Sequence, residues 1–274
     1  MRIADVNLGK LIEVGVAVTD LPTATRTFAG VLGVDATAPI CAPMFAMEFC
    51  MCRLGTVDFE LMAPSDDNSV IKRFLARRGE GLHHIAFQVP DLDETVAACR
   101  ARGATFTSDE SVLLEGLRAA FLRPECLSGL LVEFVENLHN WSPIEESRRR
   151  DIGRVSGFGV AVSDLDAAAS DYARLLGAVI SDRSWNEHLS TYVRFAMVSD
   201  VRLELVPASA LSNPGSQPMG GRNGLRHVCL NVFDRKDFNL LRGQSGYASN
   251  GDTEASFLTD PAMCHGVPFK VQAA

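Results

Sequence analysis

Two stretches decide the fold: Glu13–Val34, EVGVAVTDLPTATRTFAGVLGV, and Gly157–Ala178, GFGVAVSDLDAAASDYARLLGA. Each reads as a short apolar strand, a helix cap, an amphipathic helix and a glycine stop. Asp20 and Asp164 stand where a side-chain oxygen satisfies the first free backbone N–H groups of a helix. Gly33 and Gly177 stand where the chain leaves a helix in the left-handed region. The match continues along the chain, which is the mark of a duplicated unit. Val57–Pro64, VDFELMAP, parallels Val201–Ala208, VRLELVPA. GLHHIAFQVPD, from Gly81, parallels GLRHVCLNVFD, from Gly224. Arg118–Glu136 parallels Glu254–Gln272. A shorter repeat lies inside each half, because VGVAVTDL (Val14–Leu21) resembles IAFQVPDL (Ile85–Leu92). The expected fold is therefore α+β, with four βαβββ modules paired into two cup-shaped half-barrel domains. The boundaries follow: a metal-bearing domain over 1–137, a linker over 138–153 and a degenerate copy over 154–274. The Arg148–Arg150 run in the linker reads as a solvated face.

Composition narrows the function classes. The 274-residue chain is 47% hydrophobic, ample for a buried core, and carries a formal net charge of −8. That charge argues against nonspecific binding to nucleic acid or an anionic membrane surface. No apolar run approaches the roughly 18 residues of a membrane span, and the start, MRIADVNLGK, has no secretory pattern. Seven cysteines without a CxxC pair fit a reducing compartment, so the expected location is cytoplasmic.

Aligning the modules isolates one ionisable residue in each of four apolar strands of the first half. Glu13 and His84 precede the apolar runs of the first strands; Glu60 and Glu133 occupy matching places in ELMA and VEFV. Carboxylates buried together repel and cost several kcal/mol each. A shared divalent cation removes the conflict, whereas independent strand residues would simply face water. Successive strand side chains alternate faces, so His83 is expected on the face opposite His84, as a structural residue. The second half offers Gly157, Glu204, His227 and Lys270 at these places. One has no side chain and one is itself a cation, which points to a copy without metal.

These residues and runs resemble the vicinal oxygen chelate superfamily of glyoxalases, methylmalonyl-CoA epimerases, extradiol dioxygenases and bleomycin-resistance proteins. FELMAPSDDNSVIKRFLARRGEGLHHIAFQVPDLD and RAAFLRPECLSGLLVEF are similar to the methylmalonyl-CoA epimerases in particular. The resemblance implies that Glu13, Glu60, His84 and Glu133 are the metal ligands. Glu13 departs from the usual His or Gln. One histidine with three carboxylates is a hard ligand set, favouring Mn²⁺, Mg²⁺ or Co²⁺ within a range that includes Ni²⁺ and Zn²⁺. The resemblance also implies Glu48 as the proton-transfer base; Phe49 and Met51 are its expected apolar wall, and the second proton is expected from a second acid or from a ligand such as Glu133 acting as a shuttle.

The implied activity is removal of a proton α to a carbonyl that chelates the metal, giving epimerisation or isomerisation. The substrate would carry vicinal oxygens, as an acyl-CoA or a hydroxy-ketone does. A glyoxalase I-type lyase and a metal-free small-molecule binding or resistance protein are the alternatives. An extradiol dioxygenase would need two histidines and a carboxylate in one site, which neither half supplies. No nucleic-acid or membrane partner is expected, and the chain is expected to act as a monomer or homodimer.

Overall fold

The computed structural model describes residues 6–114, 116–138, 151–211, 222–245, 253 and 255–273. Most of the expected linker, including the Arg148–Arg150 run, lies outside them. The first module is β1 (Leu11–Ala17), α1 (Leu21–Leu32), β2 (Ile40–Ala42), β3 (Met47–Leu54) and β4 (Val57–Pro64). A connecting helix, α2 (Val70–Arg78), leads to the second: β5 (Gly81–Gln88), α3 (Leu92–Ala101), β6 (Val112–Leu114), β7 (Leu117–Leu122) and β8 (Leu131–Asn137). The third holds β9 (Gly153–Val162), α4 (Leu165–Leu176), β10 (Val179–Ile180), β11 (Ser184–Asn186), β12 (Thr191–Val198) and β13 (Val201–Pro207). Among the described residues the fourth comprises β14 (Gly224–Val232), α5 (Arg235–Ser245), β15 (Ser256–Leu258) and β16 (Phe269–Ala273).

The strands form two eight-stranded sheets. The first runs β2-β3-β4-β1-β5-β8-β7-β6; the second runs β10-β12-β13-β9-β14-β16-β15, with β11 paired to β12. β1 lies parallel to β4 and β5 parallel to β8, and the second sheet repeats this with β9 beside β13 and β14 beside β16. Parallel neighbours need a crossover connection, which each module supplies through its helix.

The caps form as the repeat requires. Asp20 accepts from the Thr23 amide at 3.0 Å, Asp91 from Glu94 at 2.8 Å, and Asp164 from Asp166 and Ala167, both at 2.9 Å. Gly33 and Gly177 end their helices at φ of 67° and 66°, a region costly for any residue with a Cβ. Along α1 the buried residues are Leu21, Ala24, Phe28 and Leu32, the i, i+3, i+4 spacing of a helix with one face on a sheet.

Contacts gather the chain into two compact units. Of the described residues, one takes those within 1–12, 84–141 and 157–226; the other takes those within 13–83, 142–156 and 227–274. In the first, the fully buried Tyr172 of α4 donates its hydroxyl to Leu127 O at 3.1 Å, and Cys99 of α3 donates to Leu175 O at 3.5 Å. Its leading segment is held by Gly9 N to Gln88 O at 2.7 Å and Gln88 N to Lys10 O at 2.9 Å. In the second, Phe28, Phe59 and Phe269 meet with ring centroids 5.8 to 6.2 Å apart, within the range of favourable edge-on packing.

Candidate metal centre

The site is built on the parallel pair β5–β8. Here His84 sits beside Leu131 and Ala86 beside Glu133. Residues opposed in a ladder share a face, so His84 and Glu133 emerge on the same side, one pleat apart. Phe121 of β7 stands opposite Glu133 on its other flank. Nε2 of His84 lies 3.1 Å from Oε2 of Glu133, and the two residues are 2% and 9% exposed. The imidazole packs edge-on against Phe121, with centroids 6.0 Å apart. Ala86, Ala119 and Val135 form an apolar cluster on this face, joined by Ile12, Leu117 and Phe121.

A further carboxylate, Glu13, comes from β1. Among the described residues, Glu13, His84 and Glu133 each offer a ligand atom lying within 4.8 Å of the other two. Two carboxylates and one imidazole so close, two of the three residues buried, fit a divalent cation: the charge balances, and the donors suit Mn²⁺, Co²⁺ or Zn²⁺.

Glu60 lies outside that group. It is 7% exposed on β4 and stands beside Gly15 in the β1–β4 ladder, where Glu13 stands beside Asp58. Glu13, Asp58 and Glu60 therefore share a face. Arg53 grips Asp58 through two charge-assisted bonds, Nε to Oδ1 at 2.8 Å and Nη2 to Oδ2 at 2.6 Å; such forked pairs also fix geometry.

Glu48 occupies a different environment from the one its sequence context suggests. Along β3–β4, Met51 pairs with Glu60 and Glu48 with Ala63. By alternation, Phe49 and Met51 lie on the Glu60 face and Glu48 on the other. The expected apolar wall of Phe49 and Met51 is thus on the wrong side of the sheet for Glu48. Glu48 is exposed, and its Oε1 accepts from the Cys41 thiol at 3.7 Å. Further along that face Cys50 and Cys52 are buried, and burial pushes the Cys52 thiol up to about 12. His83 takes the opposite face from His84 and meets Phe74 of α2 edge-on at 4.8 Å.

The second copy differs at its backbone. In the β9–β13 ladder Gly157 stands beside Arg202, as Glu13 stands beside Asp58. A Cβ on Gly157 would lie 2.1 Å from the Arg202 carbonyl oxygen. Glu204, the counterpart of Glu60, is buried and accepts from Asn186 Nδ2 at 3.2 Å.

A chain with this duplicated architecture belongs to the glyoxalase/bleomycin resistance protein/dioxygenase superfamily, whose model matches residues 13–121. Within it, the first half is similar to methylmalonyl-CoA epimerases. The mitochondrial enzyme of Bos taurus is 31% identical over 129 residues, 46% of this chain and 74% of that protein. The ethylmalonyl-CoA/methylmalonyl-CoA epimerase of Cereibacter sphaeroides is 29% identical over 129 residues, covering 46% of this chain and 96% of that protein. Among solved structures, a Streptomyces coelicolor methylmalonyl-CoA epimerase in complex with 2-nitronate-propionyl-CoA matches 48% of this chain and 100% of its own, at 26% identity and a TM-score of 0.46. Among the described residues, no helix is long and apolar enough to cross a membrane.

Proposed function

We propose that the first half of the chain is a divalent-metal-dependent epimerase acting on an acyl-CoA of the methylmalonyl-CoA class. The observation that carries the reading is the buried His84–Glu133 pair, 3.1 Å apart, with a Glu13 ligand atom in the same group. The names of the related epimerases support the substrate class.

Glu13, His84 and Glu133 would hold the ion, while Glu60, outside that group, is left to another role. A bound divalent ion supplies Lewis acidity to a chelated carbonyl, lowering the cost of removing the neighbouring proton. His84 presents Nε2 to the site; that nitrogen is a donor when paired with Glu133 and must release its proton to coordinate. Glu133 has one oxygen against His84 and lies within the apolar face of Phe121 and Ala86, so it can take a proton and return it without bulk water intervening. Glu60, on the face shared with Glu13, is the other carboxylate placed for proton transfer. Glu48 projects from the opposite face of its strand and is exposed, which counts against it as the base.

The test is deuterium uptake at the α-carbon of methylmalonyl-CoA in deuterated water, followed by mass spectrometry with Mn²⁺ or Co²⁺ present. Metal-dependent uptake is expected. Absence of uptake together with uptake on a hydroxy-ketone would move the assignment to glyoxalase-type chemistry. Failure to retain any divalent ion would leave the metal-free binding protein.

A further inference from the structure

The turn between α2 and β5 is anchored by one carboxylate. Glu80 Oε1 accepts from the Thr19 amide at 2.6 Å and from the Thr19 hydroxyl at 2.5 Å. Its Oε2 lies 2.9 Å from Nδ1 of His265, and His265 Nε2 lies 3.4 Å from Thr27 Oγ1 on α1. His265 ends the 3-10 turn Pro261–Cys264 with a left-handed φ of 50°. The backbones beneath are just as close: a Cβ on Gly266 would fall 2.1 Å from Glu80 O. Asp20, at the cap of α1, feels the charge of His265 and of Arg26.

The duplication provides an internal comparison. At the matching place in the other copy, Asn223 replaces Glu80, Ser163 replaces Thr19 and Ser128 replaces His265. Asn223 Nδ2 donates to Ser163 Oγ at 3.2 Å, Ser128 has φ 51°, and a Cβ on Gly129 would lie 2.8 Å from Asn223 carbonyl atoms. The close backbone passage is common to both copies. The Glu–His pair stands only at the turn that leads, three residues beyond Gly81, to His84.

We propose that Glu80 and His265 are positioning residues: they clasp the last hairpin of the chain to the turn that launches β5, and so fix where His84 is presented. The chemistry of the first copy then depends on a side chain supplied by the second. This inference rests on the metal reading for its functional consequence, while the clasp itself has a separate readout.

The experiment uses the full chain, with Mn²⁺ titration followed by electron paramagnetic resonance and hydrogen exchange of peptides covering 81–88 and 117–122. His265→Leu is expected to weaken Mn²⁺ binding about tenfold, the lower end of what losing a supporting partner costs a metal site. It is also expected to speed exchange in 81–88 and leave 117–122 unchanged. His265→Asn should restore both, because Asn tolerates the left-handed backbone and its Nδ2 replaces the Nδ1 donor. Unchanged exchange in 81–88, or equal acceleration in both segments, overturns the proposal, as does His265→Asn behaving like His265→Leu. If the unmodified chain takes up no Mn²⁺, the metal reading fails and exchange in 81–88 decides the clasp alone. If His265→Leu does not fold, Glu80→Gln, which keeps acceptors for Thr19 and removes the charge opposite His265, is read in the same way.

Discussion

Nε2 of His84 and Oε2 of Glu133 meet at 3.1 Å although they come from two strands joined only after a helix and a hairpin. The contact follows from a parallel register that sets Ala86 beside Glu133. A slip of one residue would send Glu133 to the far face. The pair therefore depends on how β5 and β8 are aligned, and its loss is measurable.

His84→Ala and Glu133→Ala should each abolish stoichiometric binding of a divalent ion, since each removes a donor from a three-residue group. Elemental analysis of protein equilibrated with Mn²⁺ checks this. An undiminished metal content in both variants would remove the site from this face of the sheet.

Glu60→Gln and Glu48→Gln separate the two faces of the β3–β4 hairpin. Glu60→Gln should lower α-proton exchange at least about 100-fold, the lower range for losing a positioned acid or base. Glu48→Gln should stay within about threefold of the parent chain. The reverse ranking would restore Glu48 as the base and require its strand to turn over on substrate binding.

Gly157→Ala should destabilise the chain by about 1–3 kcal/mol, the range for overfilling a packed interior. Its Cβ would collide with the Arg202 carbonyl, which belongs to a paired strand and cannot swing aside. The urea midpoint measures the loss; an unchanged midpoint would mean that β9 and β13 separate readily.

Glu80 links pH to stability. Burial raises its pKa, but hydrogen bonds from Thr19 and His265 outweigh this and hold the carboxyl below its ordinary value of 4.5. A depressed folded pKa contributes stability above the unfolded value, and that contribution fades as pH falls through the folded one. The stability gap between the parent chain and Glu80→Gln should therefore be full at neutral pH and shrink below pH 4.5. A gap independent of pH across that range would show that the charge on Glu80 contributes nothing.

Tyr172→Phe should cost about 1 kcal/mol, because Leu127 O would lose its buried donor. Thermal unfolding reads this directly.

Much of this was legible from residue order. The Asp–helix–Gly punctuation at Asp20 and Gly33, and again at Asp164 and Gly177, marks element edges through local bonding, which sequence encodes directly. Glu13, His84 and Glu133 stood out in the sequence because the repeats align them as single ionisable residues in apolar strands. The side of the sheet taken by Glu48 was not read correctly, although the signal was present. The short Gly55–Thr56 turn fixes the β3–β4 register, and counting back from it puts Glu48 and Glu60 on opposite faces. The Glu80–His265 contact had no such signal. It joins residues 185 apart, and nothing periodic connects them.

The crowding at Gly157 works as a lock. A liganding side chain could stand at that position of β9 only if two paired strands moved apart.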